Sequence, residues 1–134
     1  MPIQLTKKSL DVGIVTRDGE RLQTFYRDAF GLEPFEDLLM PGIGKILRLR
    51  FGDSVLRIFV PEEPPEGDAA EGGLAGRPGY RYMNFEVADM KQALETVEAA
   101  GGKLFFGPVE PRPGRQVAQV VDPDGNLIEI GQDS

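Results

Sequence analysis

The chain carries one plan twice, and a repeat of that length leaves few folds open. Strand-like residues 10–16 run into Arg17 and then Asp18, a candidate N-cap, before a helical pattern begins. Leu22, Phe25, Tyr26 and Ala29 follow at i, i+3, i+4, i+7, and Gly31 supplies a C-terminal stop. The second half does the same. Strand-like residues 81–87 lead to Asp89, then Met90, Ala93, Leu94 and Val97 carry the helical spacing, and Gly101-Gly102 closes it. Asp18 to Asp89 and Gly31 to Gly102 are both 71 positions (89−18; 102−31), and Arg57 to Glu129 is 72 (129−57).

Both halves continue in strands. Residues 46–51 and 55–60 flank a turn at Gly52-Asp53-Ser54, and 33–38 is a weaker candidate before them. The second half offers 103–106, 116–121 and 127–130, the last pair joined by Pro123-Asp124-Gly125. Each half therefore predicts β-α-β-β-β. The chain reads as a single α+β domain over residues 1–134, with module one at 8–62 and module two at 79–132. The intervening 61–78, rich in Pro, Gly and acid, reads as a solvated linker, with a flap over a ligand cavity as the alternative.

Composition removes several functions. A net charge of −7 opposes binding to nucleic acid or to anionic membrane surfaces. No apolar run approaches the roughly 20 residues of a membrane span, and the start MPIQLTKKSL lacks the apolar core of a signal peptide, so a cytoplasmic location is the default. The chain has no cysteine, which removes disulfides, thiolate catalysis and cysteine zinc sites, and no histidine.

The stretches LDVGIVTRD at 10–18, FYRDAFGLEP at 25–34, FEVADM at 85–90 and DPDGNLIEI at 122–130 resemble the vicinal oxygen chelate superfamily, the group of glyoxalase I, bleomycin resistance proteins and extradiol dioxygenases. The resemblance implies curved mixed sheets around a cavity, helices outside, and a homodimer. In metal-dependent members the first and last strands of each half supply ligands. The matching positions here are Asp11, Arg57, Tyr82 and Glu129, of which Glu129 alone keeps the usual ligand.

A guanidinium in a ligand slot brings fixed positive charge where the metal's would be. The chain is therefore expected to hold no metal and no cofactor, with Arg57 bridging Asp11 and Glu129 in the metal's place. Strand alternation adds Phe59, Asn84 and Glu86 to the same concave face, and leaves Arg48 and Arg50 facing cavity or solvent. The function expected is a metal-free small-molecule binding protein of the bleomycin-resistance type. The alternative is a metal-independent enzyme with Tyr82, Glu129 or Glu86 as acid or base; a metal-dependent glyoxalase, epimerase or dioxygenase stands third. Residues 110–115 (EPRPGR) read as a surface turn, or else as a contact to a ligand carboxylate through Arg112 and Arg115.

Overall fold

The computed structural model describes residues 1–69 and 71–134. It contains two compact units, Met1–Arg27 with Gly31–Pro65, and Asp28–Phe30 with Glu66–Ser134. The fold is α+β, with two four-stranded mixed sheets and two α-helices.

The first unit runs β1 (Val12–Val15), α1 (Gly19–Phe30, of which Asp28–Phe30 group with the second unit), β2 (Glu33–Met40), β3 (Gly44–Phe51) and β4 (Ser54–Pro61). Its strand order is β1-β4-β3-β2, with β1 parallel to β4 and the other pairs antiparallel. Asp18 caps α1 by accepting from the Arg21 N–H at 3.1 Å, and Gly31 ends it at φ 71°, a left-handed position that glycine takes without strain. Leu22, Phe25 and Tyr26 of the helix and Leu47, Leu49, Leu56 and Ile58 of the sheet are buried. A side chain at Gly19 would strike Leu47 and Val60, so the start of α1 sits directly on β3 and β4. The weak candidate at 33–38 is a true strand extending to Met40. Its polar pattern suits an edge, since β2 pairs on one side alone and is bulged between Phe35 and Leu38.

The second unit runs β5 (Tyr82–Glu86), α2 (Met90–Ala99), β6 (Lys103–Arg112), β7 (Arg115–Val121) and β8 (Leu127–Asp133), ordered β5-β8-β7-β6. Asp89 caps α2 through the Gln92 N–H at 3.1 Å, and Gln132 Oε1 accepts from the Met90 N–H at 2.6 Å. Phe85, Met90, Val97, Ala118, Val120, Ile128 and Ile130 form the buried core. Two strands outrun their sequence pattern. β6 continues past Gly107-Pro108 to Arg112, with register irregularities, which an edge strand tolerates because Pro108 needs no ladder partner there. β8 continues past Ile130 because Gly131 still pairs with Glu86 and Val117.

The segment 61–78 is partly tied down. Arg81 donates from Nη2 to the Glu71 carbonyl at 2.9 Å and from Nε to the Gly73 carbonyl at 3.1 Å, and a side chain at Gly73 would meet the Phe105 ring. Ala70, within that segment, lies outside the described residues. No helix among the described residues is long and apolar enough to cross a membrane.

Candidate functional site

Strand register decides which side chains share a face. In the second unit Asn84, Glu129, Gln119 and Phe106 are paired in one row across β5, β8, β7 and β6. The next row is Tyr82, Leu127, Val121 and Lys103, and on the other side comes Glu86, Gly131 and Val117. Ile128, Ile130, Val120 and Ala118 fill the opposite, buried face. The first unit has the equivalent row, Gly13, Arg57, Arg48 and Phe35. The offsets match the repeat: 84−13, 119−48 and 106−35 all give 71, and 129−57 gives 72. Where the second unit presents a carboxylate and an amide, the first presents two guanidiniums.

Glu86 is fully engaged. Arg115 donates to it twice, Nη1 to Oε1 at 2.6 Å and Nη2 to Oε2 at 3.0 Å, and Asn84 Nδ2 donates to Oε2 at 2.7 Å. These hydrogen bonds, Arg115 first and Asn84 second, favour the ionised form and hold the Glu86 carboxyl down to about 2. The same pair, with Asp133 at 3.2 Å, drives the Arg115 guanidinium further up from its already high value. A side chain at Gly131 would overlap both partners, so the pair lies across a bare Cα.

Glu129 contrasts with it. Half-buried in the middle of the sheet, its side chain makes no hydrogen bond or ion pair with the described residues of its unit. Tyr82, 49% exposed, likewise has no hydrogen bond among the described residues. Gln119 is 8% exposed and its side chain makes none either. Along the Tyr82 row a cleft of about 680 Å³ opens between Leu127, Val121 and Phe105 and the segment around Asp68–Gly73.

In the first unit Asp11 stands just before β1. Its Oδ1 accepts from Lys7 Nζ at 2.7 Å and from the Val55 N–H at 2.9 Å, and Arg57 Nη2 lies 3.2 Å from Oδ2. Lys7 first, then Val55, lowers the Asp11 carboxyl below its ordinary value. Of the expected Asp11–Arg57–Glu129 set, this unit shows the Asp11–Arg57 pair, and the pair is not buried. The Arg57 side chain is 49% exposed, so water screens it. Phe59 follows on the same face of β4, and the Phe35 ring takes the guanidiniums of Arg48 at 4.2 Å and Arg50 at 4.1 Å.

Residues 9–130 match the family model of the glyoxalase/bleomycin resistance protein/dioxygenase superfamily. The chain belongs to this superfamily. A search of curated proteins finds no match. A glyoxalase family protein from Bacillus cereus superimposes with a TM-score of 0.75 at 18% identity, covering 97% of this chain and 99% of that one. A fosfomycin resistance protein from Listeria monocytogenes, solved with Mn(II) and sulfate, gives 0.69 at 14% identity over 98% and 95%. A glyoxalase I variant from Zea mays gives 0.70 at 25% identity, covering 91% of this chain but 44% of that longer one.

The donors at the superfamily's ligand positions fit a divalent cation poorly. Asp11 already accepts from an ammonium and a backbone N–H and faces a guanidinium, and Arg57 has no lone pair to offer. Among the described residues no three acidic side chains converge as a metal group would require.

The sequence reading missed two residues of this face, Gln119 and Gly131, and the partner of a third. Arg115, expected in a surface turn or against a ligand carboxylate, follows the turn at 113–114, opens β7 and grips Glu86. Gln119 joins the row by register alone, and Gly131 matters for the side chain it lacks. The repeat offset held the signal for Gln119, since Arg48 plus 71 lands on it.

Proposed function

We propose that this member of the superfamily binds a small organic molecule on the polar sheet face of its second unit, without a divalent metal. The observation that supports this reading is how the carboxylates are used. Asp11 and Glu86 are committed to protein cations and amides, while Glu129 stands open between Asn84 and Gln119. One free carboxylate is too few for a cation that wants several oxygen or nitrogen donors, and enough to orient a ligand.

Enzyme chemistry is the second reading, favoured by Glu129 and Tyr82 both lacking partners on one face, a base and an acid in reach of a common ligand. Glu86 does not serve there, because both its oxygens are occupied and it stays ionised down to about 2. A homodimer and a cytoplasmic setting belong to the same proposal. Exposed Leu104, Phe105, Phe106 and Val109 on the edge strand β6 are suited to covering by a second copy.

Elemental analysis with native mass spectrometry on gently purified protein tests the reading. We expect no stoichiometric transition metal, no heat on titration with Mn²⁺ or Zn²⁺, and an organic adduct that denaturation releases. About one equivalent of metal per chain, with stability lost on chelation, would replace this reading with a metal-dependent one.

A further inference from the structure

We infer that the molecule bound on this face carries a protonated amine, seated by Glu129 and Asn84 beside the ring of Tyr82. The inference rests on the small-molecule reading above and adds the ligand's chemical class.

The orientation of Asn84 carries the argument. An ionised carboxylate can accept hydrogen bonds but not donate them, so the Asn84 NH₂ must face Glu86, at 2.7 Å. Arg115 holds Glu86 ionised and in place, and thereby fixes which way the amide points. The Asn84 carbonyl oxygen is consequently turned away from Glu86, as an acceptor. Asn84 is paired with Glu129 on the adjacent parallel strand, and neighbouring strands lie about 4.8 Å apart. Two acceptors, one charged, thus stand side by side, and neither accepts a hydrogen bond from a side chain among the described residues. Gln119, more than nine-tenths buried and without a side-chain hydrogen bond, completes the row and can turn its amide to suit.

A ligand carboxylate would be repelled here. A neutral hydroxyl would satisfy one acceptor and leave the charge of Glu129 unopposed. An ammonium, with three N–H donors and a positive charge, meets both needs. Two independent features agree. The adjoining cleft is walled by Asp68, Glu71, Asp122 and Asp124 against Lys103, an excess of negative charge that favours cations. Tyr82 stands one row along with its ring half-exposed, as a cation–π partner requires. The nearby Arg115 does not cancel this, since its charge is consumed by Glu86 and Asp133.

The test uses benzylamine, benzyl alcohol and benzoate, three probes of one size and different charge, followed by nitrogen-15 spectra of the whole chain. Benzylamine is expected to shift the side-chain amides of Asn84 and Gln119 saturably, while the other two leave them in place. Glu129→Gln should weaken benzylamine by about tenfold or more with the melting midpoint unchanged, and Asn84→Leu by severalfold. Benzoate or benzyl alcohol saturating these amides in preference to benzylamine would overturn the amine class and leave small-molecule binding standing. Benzylamine binding that ignores Glu129→Gln would overturn it too. Silence from all three probes also overturns it, while the binding reading is judged separately by the organic adduct in native mass spectrometry.

Discussion

Arg115 and Glu86 meet end to end across the bare Cα of Gly131, with Nη1 2.6 Å from Oε1 and Nη2 3.0 Å from Oε2. The two residues sit on β7 and β5, strands separated by β8. Their side chains therefore span the middle strand, and they can do so because that strand offers no Cβ at the crossing point. The pair fixes the Asn84 amide, and Asn84 stands beside the free Glu129. The pair thus sets the hydrogen-bonding character of the row proposed to receive a ligand.

Gly131→Ala should open this pair without unfolding the chain, because the atoms that a new methyl would strike are the far ends of two flexible side chains. Glu86 should then titrate back toward its ordinary 4.5 from about 2. Carbon-13 detection of the Glu86 carboxyl measures the midpoint directly. A midpoint that stays low in the variant would show that the pair tolerates a side chain at 131.

Acid should destabilise the fold in a definite window. The folded Glu86 pKa lies below its unfolded value, so its contribution is fully present above about 4.5 and is lost as pH falls towards about 2. Asp11, also lowered, acts in the same direction below its ordinary 3.8. Urea midpoints measured from pH 5 to pH 2 should fall, and Glu86→Gln should flatten that slope. Because the Glu86 side chain is half exposed, added salt should shrink the effect. Equal slopes in both proteins would remove Glu86 from the account.

The repeat, the caps at Asp18 and Asp89 and the helix stop at Gly31 were readable in the sequence because each is a local signal with a local cause. The polar face was readable too, since strand alternation alone puts Tyr82, Asn84, Glu86 and Glu129 on one side. What alternation cannot reveal is which polar groups find partners. Arg115 reaches Glu86 over 29 positions and a whole strand, a relation with no sequence period. The same holds for Arg57: expected to bridge Asp11 and Glu129, it pairs within its unit with Asp11. The pair exists, but solvent reaches the guanidinium and Lys7 shares the carboxylate.

Asp122→Ala should be the costliest polar change in the second unit. The carboxylate, 2% exposed, accepts from the Asp124 and Asn126 N–H groups and from Asn126 Nδ2, all at 2.9 Å, and so shapes the turn between β7 and β8. Removing it leaves those donors short of a partner, at a cost of about 1–3 kcal/mol. Urea unfolding checks this, with Asp124→Ala, half-buried in the same turn, as the control expected to cost less. A loss equal in both variants would mean that the turn, and not the buried acceptor, sets the cost.

Asp11 should matter more to stability than Arg57, although the two are paired. Arg57→Ala leaves Asp11 with Lys7 and the Val55 N–H, so no charge is stranded, and the melting midpoint should move by a few degrees at most. Asp11→Ala removes the acceptor at the start of β4 and leaves both cations unpaired, so it should lower the midpoint further. Glu129→Gln should change stability by no more than about 0.5 kcal/mol, since Glu129 has no partner in its unit to lose, while its effect on ligand should be large. Thermal melts of the three variants settle the order. Arg57→Ala proving more destabilising than Asp11→Ala would restore the guanidinium as the organising charge and reopen its role as a stand-in for a metal.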